Sequence, residues 1–325
     1  MRIVSEVNKG EFWKPCPGTS KDYYCCGYQI ITPFTGCGMY CSYCILQAYF
    51  DHDHQVLYTN FEDLEREIVE KMNRRMGVVR FGTGEFADSL FQEDNLGVSR
   101  KIAALLQPYK NVIVEFKTKS TCINSLKQIA EPQKVVIGFS LNTQRMVGEL
   151  EQGTASIEKR LEAAAQCEKM GFNLAFHFDP MVWYGNWEQE YRSVVKMIFH
   201  YVKEPEKIAW CSMGGFRTMP SLKSLLRKQG NHLPLFAGEM ISGADGKLRY
   251  PRPLRVQFYT AMREEFEKYR PQTTLYMCME SDEVWTESGM KQRIPFGLKY
   301  YLDRRAEQIL GLGKTRAILQ NEKLS

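Results

Sequence analysis

The segment TPFTGCGMYCSYCILQAYF, residues 32–50, places Cys37, Cys41 and Cys44 within eight positions of an otherwise apolar and aromatic run. A structural zinc site takes four ligands, commonly as two close pairs separated by a loop, and no second pair follows downstream. Three thiolates at this spacing suit a four-iron cluster in which one iron is left open for a ligand that is not protein. A buried-thiol or zinc reading is the bland alternative.

The remaining cysteines support metal chemistry over disulfides. Six of the ten lie in the first 44 residues, namely Cys16, Cys25, Cys26 and the three above. In an intracellular chain of 325 residues, such crowding reads as metal or redox chemistry. A hydrophobic fraction of 44% and a charged fraction of 25% belong to a soluble globular protein. No apolar run approaches the roughly 20 residues of a membrane span, and the start lacks a signal-peptide core, so a cytoplasmic location is expected. A net charge of +5 permits nucleic-acid binding without arguing for it.

After the cysteine-rich start, β-branched runs alternate with amphipathic stretches, the pattern of βα units around a parallel sheet. Strands are expected at 27–34, 78–83, 111–118, 134–141, 173–179 and 207–213, with helical periodicity between them. Six pairs are too few for a closed eight-fold barrel, so the fold expected is α/β, a partial, TIM-like (β/α)6 barrel. The divisions expected are a cysteine-rich segment at 1–27, the barrel at 28–232 and an extension at 233–325. The extension should hold a β-hairpin turning at Ala244 to Lys247, a helix over 253–269 and a strand in TTLYMCM, and the last thirteen residues should be partly disordered. Functional groups in such folds gather at the C-terminal strand ends. Glu85, Asp88, Lys117, Lys119, Ser140, Asn142, His177, Asp179, Cys211 and Ser212 occupy those ends.

The cysteine spacing after a first strand resembles that of radical S-adenosylmethionine enzymes. That resemblance implies a [4Fe-4S] cluster on Cys37, Cys41 and Cys44, S-adenosyl-L-methionine on its open iron, and a 5′-deoxyadenosyl radical formed by one-electron reduction. CSYCILQAYF, FSLNTQRMVGELEQGTASIEKRLEAAAQCEKMGF and MVWYGNWEQEYRSVV resemble, more narrowly, the spore photoproduct lyase family, over about residues 28–285. Family members of that kind repair a thymine dimer in spore DNA. The resemblance therefore implies a lyase acting in DNA repair, damaged DNA as partner, and an electron donor such as flavodoxin or ferredoxin. A monomer is expected.

Residue by residue, the resemblance puts Tyr43 beside the cofactor, and Glu85 and Asp88 in a segment that accepts the cofactor's amino group. Lys119 and Ser140 match cofactor contacts. Asn142, two residues on and hence on the same face of an extended strand, is a candidate ribose ligand. Trp183, Tyr184 and Trp187 are candidates to shape a substrate cavity by stacking, or simply core. Arg217, Lys223, Arg227 and Lys228, with Lys247, Arg249, Arg252 and Arg255, supply the basic surface that DNA would need.

Two departures weaken the substrate assignment. The repair lyases carry a hydrogen-donating cysteine where Glu85 stands, and a second tyrosine where Ile45 stands. A carboxyl O–H bond is too strong to give up a hydrogen atom, so Cys211 is the expected substitute, with Cys278 and cavity tyrosines behind it. Cys16, Cys25 and Cys26 are open between an auxiliary metal centre and free buried thiols, and the DHDH of 51–54 between a metal site and a solvated loop. Hydrogen abstraction on a peptide, nucleotide or metabolite is the alternative reaction. A non-catalytic iron–sulfur protein that binds nucleic acid is the alternative class.

Overall fold

The computed structural model describes residues 2–312 apart from 20, 51, 53, 229–233 and 237. The tail expected to be disordered, 313–325, and two members of the DHDH run lie outside the described residues.

The sheet is assembled from eight strands: β1 (Trp13–Pro15), β2 (Gln29–Ile31), β3 (Val79–Gly82), β4 (Val112–Thr118), β5 (Val135–Ser140), β6 (Asn173–Met181), β7 (Ile208–Gly215) and β8 (Leu275–Met277). Their spatial order is β8-β7-β6-β5-β4-β3-β2-β1, and every neighbouring pair is parallel except β1 with β2. Strands β2 to β7 are the six the sequence led us to expect. β8 from the C-terminal part and β1 from the N-terminal part extend the same sheet, so the expected divisions at 27 and 232 do not coincide with its limits. This is an open half-barrel, in keeping with the expected α/β partial barrel.

The outward face of each strand is apolar and covered by helices. Phe116 on β4, Ile137 and Phe139 on β5, Phe176 and Phe178 on β6 and Met213 on β7 have no measurable exposure. The helices meet them with apolar residues at three- and four-residue spacing. In α1 (Phe61–Asn73) these are Leu64, Ile68 and Met72. Helices α2 (Val98–Leu106), α3 (Ile157–Lys169) and α4 (Trp187–Tyr201) follow β3, β5 and β6. Ser156 caps α3 by accepting a hydrogen bond from the Lys159 amide. α5 (Pro220–Lys228) follows β7, and the long α6 (Arg252–Tyr269) packs Phe258 edge-on against Trp187 of α4, with ring centroids 4.6 Å apart.

The last helix, α7 (Leu298–Ile309), bridges the N-terminal ends of distant strands. Its Asp303 pairs with Arg80 of β3 at 2.8 Å, while its Arg305 donates to the Ile208 and Ala209 carbonyls of β7 at 2.9 and 3.1 Å. That end of the half-barrel is thereby closed, and the strand C-termini are left as the open mouth. The expected hairpin forms beside the mouth, with Ile241–Ser242 paired to Leu248–Arg249, and Arg217–Thr218 adds a third short strand to it. No helix among the described residues is long and apolar enough to cross a membrane.

Candidate active site

The inward face of the half-barrel differs from the outward one in being polar. Strand alternation turns Glu115 and Lys117 of β4, His177 and Asp179 of β6, and Ser212 of β7 into a cavity of about 300 Å³ at the C-terminal ends. Glycines make the room. A Cβ on Gly138 would meet Glu115 Oε1 at 2.4 Å and His177 Nε2 at 2.8 Å, and one on Gly82 would meet the Tyr28 hydroxyl at 1.8 Å.

The polar groups on this floor form one network. Glu115 is buried and binds His177 through one oxygen, while the other accepts from Tyr28 Oη at 2.9 Å and Trp210 Nε1 at 3.2 Å. The second ring nitrogen of His177 lies 2.6 Å from Ser212 Oγ. Burial opposes the Glu115 charge, but His177 and Lys117 outweigh it and hold the carboxyl below its ordinary pKa. Lys117, half-buried at the cavity, is kept charged by Glu85, Asp179 and Glu115 against the same opposition. Asp179 in turn holds Arg217 in a bidentate pair at 2.8 and 3.0 Å.

One wall of the cavity is the cysteine loop. Cys37, Cys41 and Cys44 all line it, and none is in a disulfide. The loop is pinned by backbone pairing, since the short strand Tyr40–Cys41 runs antiparallel to Glu151–Gln152 and the Ser42 amide donates to the Leu150 carbonyl at 2.8 Å. Side chains finish the anchorage. The Tyr43 hydroxyl donates to Glu151, and Arg160, fully buried on α3, donates to Glu151 Oε2 at 2.7 Å and to the Ser140 carbonyl at 2.8 Å. Burial works against the Glu151 charge, but Lys119 and Arg160 outweigh it and keep this carboxylate ionised.

Three free thiols on one loop are a donor set that an iron–sulfur cluster can take. Among the described residues no three His, Cys, Asp or Glu side chains converge on one ion position. In a four-iron cluster each thiolate binds its own iron.

Of the other expected cofactor residues, Tyr43, Glu85, Asp88, Lys119 and Ser140 line the cavity. Lys119 Nζ stands 5.8 Å from the centroid of the Tyr43 ring, on the cysteine side. Glu85 faces Lys117 at 3.8 Å. The Asp88 carboxylate is already occupied: it accepts from Thr118 Oγ1 and the Lys119 amide, both at 2.7 Å, and from the Leu90 amide at 3.0 Å. It thus fixes the strand end more than it offers a free acceptor.

The geometry corrects three expectations and bears on a fourth, that of the aromatic residues. Asn142 does not line the cavity, because β5 ends at Ser140 and the chain turns. The Asn142 amide is spent on the Tyr191 hydroxyl at 2.6 Å and the Pro180 carbonyl at 3.1 Å. Cys211 is fully buried on the outward face of β7, since its neighbours Trp210 and Ser212 are the ones that point inward. Cys278, just past β8, lines the cavity instead. Trp183, which is exposed, and Trp187, which is buried, pack against Phe258, and Tyr184 bonds Thr143 and Glu190; none of the three lines the cavity. Of the basic residues, Arg249 and Arg255 are buried in pairs with Asp245 and Glu280, and the half-buried Arg217 is taken up by Asp179. Lys223, Arg227, Lys228, Lys247 and Arg252 retain exposure near the mouth.

Sequence reasoning missed Glu115 and Arg160. A lone carboxylate inside the apolar run NVIVEFKT was a usable signal for the first. Nothing local marks the second.

An open parallel half-barrel whose strand ends surround a loop of three cysteines defines the radical S-adenosylmethionine enzymes. Comparison with known proteins narrows the class. The family model for spore photoproduct lyase matches residues 21–211, more than half of the sequence. The chain belongs to the spore photoproduct lyase family.

The lyase of Clostridium acetobutylicum is 27% identical over 166 residues, which make up 50% of this chain and 49% of that one. The Bacillus subtilis lyase is 26% identical over 175 residues, 51% of this chain and 49% of the relative. The matched segment therefore spans about half the length of these curated relatives. A solved structure of a spore photoproduct lyase double mutant with bound S-adenosylmethionine and dinucleoside spore photoproduct superposes with a TM-score of 0.75. It covers 85% of this chain and 82% of that one, and at 19% identity it speaks to the fold.

Proposed function

We propose that this protein is a radical S-adenosylmethionine lyase that repairs a thymine-dimer lesion of the spore-photoproduct type. The observation that carries the reading is the opening of Cys37, Cys41 and Cys44 onto the same closed-bottomed cavity as the polar strand ends. Those thiols would hold a [4Fe-4S] cluster, with S-adenosyl-L-methionine between them and Lys119, Ser140 and Glu85. Bound there and reduced by a carrier of the flavodoxin or ferredoxin kind, the pair supplies a 5′-deoxyadenosyl radical able to abstract hydrogen.

The protein's own part is positioning and exclusion. The Glu151–Arg160 pair and Tyr43 hold the cysteine loop against β5, so the cluster side cannot drift from the strand ends. Lys119 places a cation where the carboxylate of the cofactor's methionine half would lie. The buried network around Glu115 and His177 closes the floor and excludes water there. Lys223, Arg227, Lys228, Lys247 and Arg252 would meet phosphates on either side of the lesion, a contact that weakens steeply with salt.

The decisive experiment supplies dinucleotide spore photoproduct to the reconstituted, reduced protein and looks for repaired thymidines. Repair is the expected result. Cofactor cleavage without repair would move the substrate to another class, and absence of 5′-deoxyadenosine would refute the enzyme reading. The Cys41→Ala protein should lose the absorption near ~400 nm that an iron–sulfur cluster gives. An unchanged spectrum would refute the ligand assignment.

A further inference from the structure

Besides the cluster loop, the cavity has a second group of lining thiols that the reaction as described leaves unused. They are Cys16, Cys26 and Cys278, brought together from the turn after β1, the approach to β2 and the exit of β8. The N-terminal segment is tied there by the Cys16 amide donating to the Tyr28 carbonyl at 3.1 Å and the Tyr24 amide donating to Glu280 at 3.2 Å. Cys278 is the best positioned of the three. Tyr276 and Cys278 point inward from the same strand end, while Leu275 and Met277 point to the core. The Cys278 sulfur lies 3.5 Å from Arg217 Nη2, and that guanidinium is itself locked by its two bonds to Asp179.

We propose that Cys278 is the hydrogen-atom donor that quenches the substrate radical; this assignment rests on the radical repair reading above. Among protein side chains, thiol S–H and phenol O–H bonds are weak enough to give a hydrogen atom to a carbon radical, and the cavity phenols of Tyr28 and Tyr43 already donate theirs to Glu115 and Glu151. Glu85, which faces Lys117 on the neighbouring wall, has no such bond. In the transfer, the S–H bond of Cys278 breaks homolytically and a C–H bond forms on the substrate. Proton and electron travel together, leaving a thiyl radical on Cys278. One electron from the class of carrier that reduces the cluster, and one proton from solvent, return it to the thiol. A donor must be protonated beforehand, and burial outweighs the pull of Arg217 to raise the Cys278 thiol to about 11, so its hydrogen is in place at neutral pH.

The test uses the reconstituted full-length protein in deuterated buffer, with dinucleotide spore photoproduct as the probe. Because an S–H exchanges with solvent, the wild-type product should carry solvent deuterium. Cys278→Ala and Cys278→Ser should each lower the yield of deuterated product by about tenfold or more, while the cluster absorption of both variants reports a folded, loaded protein. Cys211→Ala should behave as wild type. Deuterated product from Cys278→Ala at the wild-type level would overturn the donor assignment and leave the repair reading standing. Absence of repair by the wild type would overturn the repair reading, and the donor assignment with it. As a readout independent of turnover, bound dinucleotide should slow N-ethylmaleimide labelling of Cys278 in the unreduced protein, followed by peptide mass mapping. Labelling at the same rate with and without dinucleotide would overturn the placement of Cys278 at the substrate.

Discussion

Arg160 governs the order of the cysteine loop although it touches none of the cysteines. Its guanidinium is spent entirely inside the protein, on Glu151, Thr154 and the Ser140 and Ala155 carbonyls. Replacing it with methionine keeps the volume but takes the ion-pair partner from the buried Glu151 carboxylate, leaving it the Tyr43 hydroxyl and the more distant charge of Lys119. A buried ion pair that loses one partner costs about 3–5 kcal/mol. We therefore expect Arg160→Met to lower the urea midpoint by the equivalent of that energy, whereas an exposed pair such as Arg74 with Glu70 can be broken with little effect. A midpoint within error of wild type would remove Arg160 from the account of the loop.

Among the secondary-structure elements, α6 joins the extension to the half-barrel together with β8 and α7. Phe258 has no measurable exposure and its ring meets Trp183, Trp187, Tyr191 and Tyr250. Truncating so large a buried ring typically costs about 3–5 kcal/mol. Phe258→Ala should show that loss in equilibrium unfolding, and a loss below about 1 kcal/mol would mean that α6 is only loosely docked. Much at this scale was legible beforehand. The strands and helices announced themselves by periodicity, and the cysteine loop by its spacing. What escaped was which way single residues face, because a strand's two faces differ by one position. In IAWCSMGG the inward Trp210 is as apolar as the outward Cys211, so the run gives no parity signal, and the wrong cysteine looked suitable. Partners such as Glu115 with Tyr28, or Glu151 with Arg160, are set by chain segments that meet only in the folded sheet.

For the molecule as a whole, the abundance of buried and half-buried phenols sets an alkaline limit. Tyr28, Tyr43, Tyr191, Tyr259 and Tyr276 are all pushed well above the usual tyrosine pKa, foremost by burial. In the unfolded chain they ionise near 10, in the folded protein far later. Their contribution is therefore complete below pH ~10 and declines as pH rises further, by up to about 1.4 kcal/mol per pH unit for each tyrosine. Urea midpoints should fall steeply above that pH, and the tyrosinate absorbance of these five should appear together with unfolding. Smooth titration of all tyrosines in a protein that stays folded would contradict the burial described.

The place of β8 in the chain has a consequence for synthesis. Because Cys278 directly follows the last strand of the sheet, residue 278 must have left the ribosome before the second group of lining thiols can exist. The loop itself, with β5 and α3 to brace it, is finished roughly a hundred residues earlier at an elongation rate of about 5–20 residues per second. For several seconds the three thiols stand assembled at an unroofed site, which is when iron and sulfide have their widest approach.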